Sequence, residues 1–233
     1  MECNEPALNQ REVTMAAALD ATTKHKVDWM IDELCAEFGG AFARERIEEL
    51  VDDSVSQMTQ SASVVDFIPL MAYRFTRERL GALARARAGD LTGEWDVVFV
   101  SLSGGGRGQI AAALTSLLSE HRVSVHSAGT AVHGHIDPGV RTVIAELGCD
   151  PEEAFARPTT DEVLRAADVI VTMGHSVGVV DIPSDVRHED WRIGDPVGAP
   201  IEEIRRVRDD IEYRVRDLLA ALGVTPAEHS VPG

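Results

Sequence analysis

Apolar residues recur every three or four positions through the first third of the chain, and this spacing predicts amphipathic helices. The first predicted helix begins near Thr22 and Thr23, either of which can cap it, and ends at Gly39-Gly40. Its apolar stripe consists of Val27, Ile31, Leu34 and Phe38. The second helix is indicated by Ile47, Leu50, Val51, Ser54, Val55 and Met58.

A third helix is predicted from about Val65 to Arg87, with Pro69 in its first turn. Its inner face consists of Phe67, Met71, Phe75 and Leu83. Three helices of this length form a small bundle with little core of its own, so we expect the bundle to pack on something or to dimerise. The third helix also carries Arg74, Arg77, Arg79, Arg85 and Arg87. These arginines could bind an anion, but the carboxylates between them favour a solvated face.

After the turn-rich stretch "AGDLTGEWD" the pattern changes to strands that alternate with helices. The predicted strands are Asp96–Val100, Val123–His126, Asp168–Met173 and, more weakly, Val186–Trp191. The predicted helices are Gln109–Ser119, Pro138–Leu147, Thr160–Ala167 and Ile201–Leu222. This alternation predicts an α/β fold, in which a four-stranded parallel sheet carries helices on both faces and is preceded by the three-helix bundle.

The domain organisation follows from these two patterns. We expect a disordered or weakly helical amino terminus (1–21), the bundle as a dimerisation domain (22–88) and a linker (89–93). The α/β domain should then occupy residues 94–225, with a tail at 226–233. Aromatic residues make up only 5% of the chain, which leaves Trp29, Trp95 and Trp191 as expected packing anchors.

The composition argues against several classes of function. A net charge of −17 argues against nucleic acid or an anionic membrane as a partner. No apolar run approaches the roughly 20 residues of a membrane span, and "MECNEPALNQREVT" lacks the features of a signal peptide, so we expect a cytoplasmic protein. The three cysteines, Cys3, Cys35 and Cys149, are odd in number and far apart, which predicts neither a disulfide framework nor a metal site. No cofactor is expected.

The stretch "VVFVSLSGGGRGQIAAAL" carries the candidate chemistry. A strand runs into three glycines, Gly104, Gly105 and Gly106, whose backbone N–H groups can curl around a tetrahedral anion. The helix that follows adds its positive amino-terminal end, and Arg107 offers a planar fork for two oxygens. The candidate oxyanion-binding residues are Leu102, Ser103, Gly104, Gly105, Gly106, Arg107 and Gly108.

This strand, loop and helix resemble the low-molecular-weight tyrosine phosphatase family, and specifically its arsenate reductase branch. Further similar segments are "VHSAGT", "RPTTDEVLRAADVIVTMG" and "HEDWRIGDPVGAPIEEIRRVRDDI". The region before residue 89 resembles the three-helix dimerisation domain of some actinobacterial-type arsenate reductases. The resemblance implies a phosphate-binding loop (P-loop), with position 101 as the nucleophile, Arg107 on the anion and Asp195 as the general acid.

The family motif is a cysteine, five residues, an arginine and then a serine or threonine, whereas this chain has Ser101, Arg107 and Gly108. A thiol starts from a pKa near ~8.5, within reach of the loop's positive field, but an alcohol starts several units higher. Oxygen also cannot supply the sulfur redox couple that arsenate reduction needs. Gly108 lacks the usual hydroxyl and Gly104 replaces the usual asparagine, so we favour a naturally altered loop over a single engineered change.

Our leading hypothesis is therefore a non-catalytic homologue, or pseudoenzyme, that binds phosphate, arsenate or a phosphorylated ligand, as a homodimer formed through the amino-terminal helices. One alternative is a hydrolase that uses Ser101 as nucleophile, with His175 as base and Asp195 as orienting group or acid. Another is a structural or interaction protein with a vestigial loop. His133 and His135 could ligate a metal, but no third ligand is evident, and turn surface is the default reading.

Overall fold

The computed structural model describes residues 21–61, 68–88, 95–132, 135–152, 154–174 and 180–228. Three helices come first: α1 (Ala21–Phe38), α2 (Arg44–Ser61) and α3 (Ile68–Ala88). The second part contains the strands β1 (Trp95–Ser101), β2 (Val123–Gly129), β3 (Val169–Met173) and β4 (Arg187–Trp191). Its helices are α4 (Arg107–Leu118), α5 (Pro138–Glu146), α6 (Asp161–Ala166) and α7 (Ile201–Ala221).

The four strands form one parallel sheet in the order β2-β1-β3-β4. Alternate residues of the central strand β1 face opposite sides, because side chains alternate along a strand. Val97 and Phe99 pack with α4, α5 and α7, whereas Val98 and Val100 pack with α6 and α3. Both faces are therefore covered by helices, and the predicted fold class is confirmed.

The amino-terminal bundle has a small apolar core of its own and also packs on the sheet. Leu34, Ile47 and Phe75 are fully or almost fully buried within it, as the apolar stripes predict. Ala82 of α3 is buried against Val98 and Ile170 of the sheet. The expectation that the bundle packs on something is thus met within the chain, and dimerisation stays a prediction. The predicted amino terminus, the linker and Phe67 lie outside the described residues.

Two expectations about side chains are wrong. Trp29 is 54% exposed with its ring tilted against Tyr73, and Trp95 is 38% exposed, so Trp191 is the buried tryptophan, against Phe99. The expectation of a solvated face is wrong for Arg79, which is buried and pairs with Asp53 and Glu162, whereas Arg77 and Arg87 are exposed. Carboxylates from other elements are nearby, and these ion pairs fix α3 in place.

A buried cluster of charges joins α3 to the sheet. Glu78 of α3 pairs with Arg157 and accepts a hydrogen bond from His126 Nδ1 of β2 at 2.6 Å. His126 Nε2 lies 3.4 Å from Asp96 of β1, which also pairs with Arg85 of α3. Burial opposes both charges of the central pair. For Glu78 the positive charges of Arg157 and His126 outweigh burial and lower its pKa to about 2. For His126 the carboxylates outweigh burial and raise its pKa to about 9.

We expect these shifts to make stability depend on pH. His126 contributes stability that is complete below its unfolded pKa, about 6.5, and is lost as the pH rises through about 9. Glu78 contributes stability above its ordinary pKa of 4.5 and loses it as the pH falls through about 2. Urea unfolding gives the free energy of unfolding at pH 6 and at pH 9.5. Between these two values the native chain should lose on the order of 2 kcal/mol more of it than the His126→Gln variant loses.

The control for this prediction is His188→Gln, which removes an exposed imidazole of β4 and should keep the pH dependence of the native chain. Equal losses in the native chain and in His126→Gln would contradict the assignment. Within the described residues, no helix is both long and apolar enough to cross a membrane.

Candidate oxyanion site

The candidate site lies where β1 ends and α4 begins. Ser101 is the last residue of β1 and Arg107 is the first residue of α4, so residues 102–106 form the connecting loop. This loop sits at the carboxyl end of a central parallel strand, where ligands bind in sheets of this kind. The helix begins two residues earlier than predicted, which places Arg107 and Gly108 in its first turn. None of the described side chains caps this helix terminus.

The carbonyl groups of the loop are held by donors around it. Ser101 O and Leu102 O accept from Thr130 N and Ala131 N at 3.1 and 2.7 Å. Gly104 O accepts from the Gln109 side chain at 2.8 Å. Gly105 O and Gly106 O accept from Asp137 N and Gln109 N at 3.3 and 3.0 Å.

The direction of these bonds determines where the amides point. In a trans peptide the C=O group and the next N–H group point in opposite directions. The amides of residues 102, 103, 105, 106 and 107 therefore point away from the donors that hold the carbonyls, toward the inside of the loop. A ring of inward N–H groups at an uncapped helix terminus is the arrangement that holds a tetrahedral anion.

Ser101 lies at the base of this loop and is 2% exposed. Its Oγ accepts a hydrogen bond from Gly104 N at 3.3 Å. Ser103 Oγ accepts similarly from Gly105 N at 3.3 Å. The hydroxyl at position 101 therefore accepts from an amide of the loop at the end of β1.

Arg107 and Asp195 lie together beside the loop. The Arg107 guanidinium is 7% exposed and donates from Nη1 to Ile193 O at 2.8 Å. Its Nη2 lies 3.6 Å from Asp195 Oδ2, whose side chain is 52% exposed. Asp195 Oδ1 also accepts from Val197 N at 3.2 Å. The three predicted catalytic positions are therefore brought to the same end of the sheet.

Gly104 and Gly108, the two other positions at which the loop differs from the family motif, fit this loop geometry. Gly104 has a φ of +67°, a left-handed conformation that asparagine also adopts more readily than most residues. A Cβ at Gly108 would lie 2.6 Å from Ser127 Oγ and 3.6 Å from Ser101 Oγ. A hydroxyl at position 108 would therefore need Ser127 to turn away before it could reach Ser101.

The loop is seated on the carboxyl end of β2, which extends to Gly129 and so is three residues longer than predicted. A Cβ at Gly129 would lie 2.7 Å from Gly104 N and 2.8 Å from Ser103 C, both of them backbone atoms. We expect Gly129→Ala to lower the free energy of unfolding by about 2 kcal/mol, because the loop must shift to admit the methyl group.

The matched control is Gly194→Ala, whose Cβ meets nothing within 4 Å and which should change stability by less than about 0.5 kcal/mol. Urea unfolding of both variants measures the difference. Equal stabilities for the two would mean that the loop does not rest on β2.

Of the other candidates from the sequence, His135 lies against the loop through its backbone, because a Cβ at Gly105 would lie 2.6 Å from His135 O. His175 and His133 lie outside the described residues, so the serine hydrolase base and the histidine pair are left as predictions. The described part of the chain contains no group of three or more histidine, cysteine or acidic side chains that could hold a metal. Cys35 packs in the bundle, and Cys149 packs against the α/β core.

Sequence reasoning missed Gln109 as a site residue. It is 4% exposed and its Nε2 donates both to Gly104 O and to Phe155 O, at 2.8 and 2.9 Å. A polar side chain that opens the otherwise apolar helix "QIAAAL" was the available signal. Its two partners could not be read from the chain, because Phe155 is 46 residues away.

The parallel sheet, the glycine-rich loop after β1 and the arginine that opens α4 together define a phosphatase-type α/β domain. Residues 96–227 match the family model of low molecular weight phosphotyrosine protein phosphatase, and residues 28–84 match that of the protein-tyrosine-phosphatase-like N-terminal domain. The chain therefore belongs to the low molecular weight phosphotyrosine protein phosphatase family, and the resemblance noted from its motifs is confirmed.

Several of the similar proteins are arsenate reductases. The thioredoxin-dependent arsenate reductase of Corynebacterium glutamicum has a similar structure, with a TM-score of 0.74 and 29% identity over 84% of this chain and 96% of that one. A Halobacterium salinarum protein named "Putative arsenate reductase" is 36% identical over 126 residues, which are 52% of this chain and 87% of that protein. An arsenate reductase in the phosphate binding state has a TM-score of 0.50 and 27% identity, over 55% of this chain and 98% of that chain.

Proposed function

We propose that this chain is an oxyanion-binding homologue of the arsenate reductases that has lost their thiol chemistry. The observation that carries the proposal is the loop itself. Five carbonyls are held by donors around it, so the amides between Ser101 and Arg107 face inward and can surround phosphate, arsenate or a phosphorylated group. The phosphate-bound state of the similar arsenate reductase supports the choice of ligand.

The loss of catalysis follows from the atom at position 101. In the family the resemblance places a thiolate there, and it attacks phosphorus or arsenic while an aspartate protonates the leaving oxygen. Ser101 offers a hydroxyl whose pKa lies several units above that of a thiol, and the loop field cannot ionise it appreciably near neutral pH. Arsenate reduction additionally requires sulfur to be oxidised, and oxygen cannot replace it.

The two cysteines among the described residues do not take over this role. Cys35 belongs to the core of the helical bundle, while Cys149 packs with the apolar residues behind the sheet. The segment after β3 reads "MGHSVGVVDIP" and contains no cysteine that could resolve a disulfide. We therefore infer a binding or regulatory role.

The proposal is tested by two measurements on the purified full chain. Calorimetric titration with phosphate, arsenate and sulfate should show binding, whereas no heat at millimolar anion would favour a vestigial loop. Assays of aryl phosphate hydrolysis and of arsenate reduction with thioredoxin should show no turnover. Turnover that Ser101→Ala abolishes, together with a phosphoserine seen by intact mass, would establish the serine hydrolase instead.

Asp195 distinguishes a binding loop from a working hydrolase. Its carboxylate lies 3.6 Å from Arg107 Nη2. The carboxylate therefore competes with a bound anion for the guanidinium and also repels that anion. We expect Asp195→Asn to strengthen phosphate binding about two- to threefold, a small effect because the carboxylate is half exposed. In a hydrolase the same change would instead slow turnover by roughly 10²- to 10⁴-fold. Phosphate titration and an aryl phosphate assay separate the two outcomes.

A further inference from the structure

The loop is tied to the amino-terminal bundle through residues 155–157, here called the bridging segment. The first tie is Gln109, whose side-chain amide has two hydrogens. It donates one to the loop and the other to the bridging segment. One goes to Gly104 O in the loop and the other to Phe155 O in the bridging segment. Because Gln109 is buried, water cannot replace either bond.

The second tie runs through β2. Gly129 N donates to Arg157 O at 2.8 Å, so the bridging segment holds the end of this strand. Gly129 in turn lies against the backbone of Gly104 and leaves no space for a Cβ between them. The bridging segment therefore contacts Gly129, on which the loop packs. Through Gln109 it is also joined to the loop itself.

Two side chains of the same segment, those of Phe155 and Arg157, contact the bundle, whereas Ala156 packs in the α/β core. The Phe155 ring is buried in the apolar cluster that includes Leu34 and Phe75 of the bundle. The Arg157 guanidinium stacks on the Phe155 ring at 4.1 Å and pairs with Glu78 of α3. The carbonyls of Phe155 and Arg157 thus support the loop, while the side chains of these two residues are anchored on α1 and α3.

We propose that the amino-terminal bundle positions the oxyanion loop, with Glu78 as its anchor on the bridging segment and Gln109 as the positioning residue that contacts the loop. The proposal rests on the proposed function, because it concerns the geometry of the same anion site. It adds a role for the bundle within a single chain, separate from any contact with a second copy.

The test is a double-mutant cycle on phosphate affinity, measured by calorimetry on the full chain. Gln109→Met keeps the side-chain length and removes both donors, and it should weaken phosphate binding about tenfold because two buried carbonyls lose their partner. Glu78→Gln neutralises the anchor and should weaken binding about three- to fivefold. Because Glu78 pairs with Arg157, which also holds Gly129, the double variant should weaken binding more than Gln109→Met alone but less than the two single effects combined.

The matched control is Glu37→Gln, the same chemical change at an exposed ion pair with Arg77 inside the bundle. It should leave phosphate affinity unchanged within twofold and should be additive with Gln109→Met. Unchanged affinity in both Glu78→Gln and Gln109→Met would overturn the proposal. If Glu78→Gln does not fold, Arg157→Met removes the same ion pair and keeps the stem that covers Phe155.

Hydrogen exchange of the unliganded protein separates this proposal from the function on which it rests. Amides of residues 102–106 should exchange about tenfold faster in Glu78→Gln than in Glu37→Gln, because the loop loses its support. Faster exchange together with no phosphate binding by the native chain would remove the proposed function and leave the positioning role intact. Phosphate binding by the native chain with equal loop exchange in the two variants would remove the positioning role alone.

Discussion

Replacing Ser101 with cysteine is expected to create a reactive thiolate in this chain. The new sulfur would replace an oxygen that accepts from Gly104 N, and it would precede the uncapped terminus of α4, whose first residue is Arg107. Each of these positive groups favours a thiolate, so the pKa of the thiol should fall well below the ordinary value near ~8.5. The pH dependence of its alkylation by iodoacetamide measures this pKa directly.

The same Ser101→Cys variant should hydrolyse an aryl phosphate at least about 100-fold faster than the native chain, because nucleophile, anion clamp and acid are then all present. Ser101→Cys with Asp195→Asn is the control, since it keeps the nucleophile and removes the acid. Arsenate reduction with thioredoxin should stay at background in both, because no resolving cysteine follows β3. If Ser101→Cys gave an ordinary thiol pKa and no hydrolysis, the loop would not stabilise negative charge, and the proposed anion site would be wrong.

Removing the Arg107 guanidinium should give the largest loss of anion binding. Charge-assisted hydrogen bonds contribute about 1.5–3 kcal/mol each, and an arginine can make two of them to one phosphate. Arg107→Ala should therefore weaken phosphate binding by about 100-fold or more in a calorimetric titration. The side chain is 7% exposed and held by Ile193 O, so it is already oriented before an anion arrives.

Arg192→Ala provides the comparison, because Arg192 lies on the same side of the sheet but is exposed and only loosely paired with Asp190. Its removal should change phosphate affinity by less than about twofold. Equal affinities for Arg107→Ala and the native chain would mean that the anion is held elsewhere on the molecule.

The sequence predicted the fold and the position of the loop because both depend on local patterns. Short strand segments alternating with helical ones placed the four strands and the described helices within a few residues, and glycines followed by an arginine marked the loop. The register of the sheet then brought Ser101 and Gly129 side by side, which no local pattern specified.

The support of the loop could not be predicted because it depends on contacts between distant residues. Arg157 and Glu78 are 79 positions apart, and Arg79 and Glu162 are 83 positions apart. Read locally, the arginines and glutamates of α3 form a charged helix face, and only the packing of the bundle on the sheet buries them. Gln109 was likewise visible as a polar residue, but not the two carbonyls that it joins.

The contact between Ala82 and the sheet has a consequence for shortening the chain. Helix α3 helps to shield from water an apolar strip of the sheet, which consists of Val98, Val100 and Ile170. A fragment cut to the size of the shorter relatives, about half of this chain, would expose that strip to water and would leave His126 and Arg157 without the Glu78 carboxylate that pairs with them. The bundle and the α/β domain therefore each cover apolar and charged surface of the other. We expect neither part to be stable on its own.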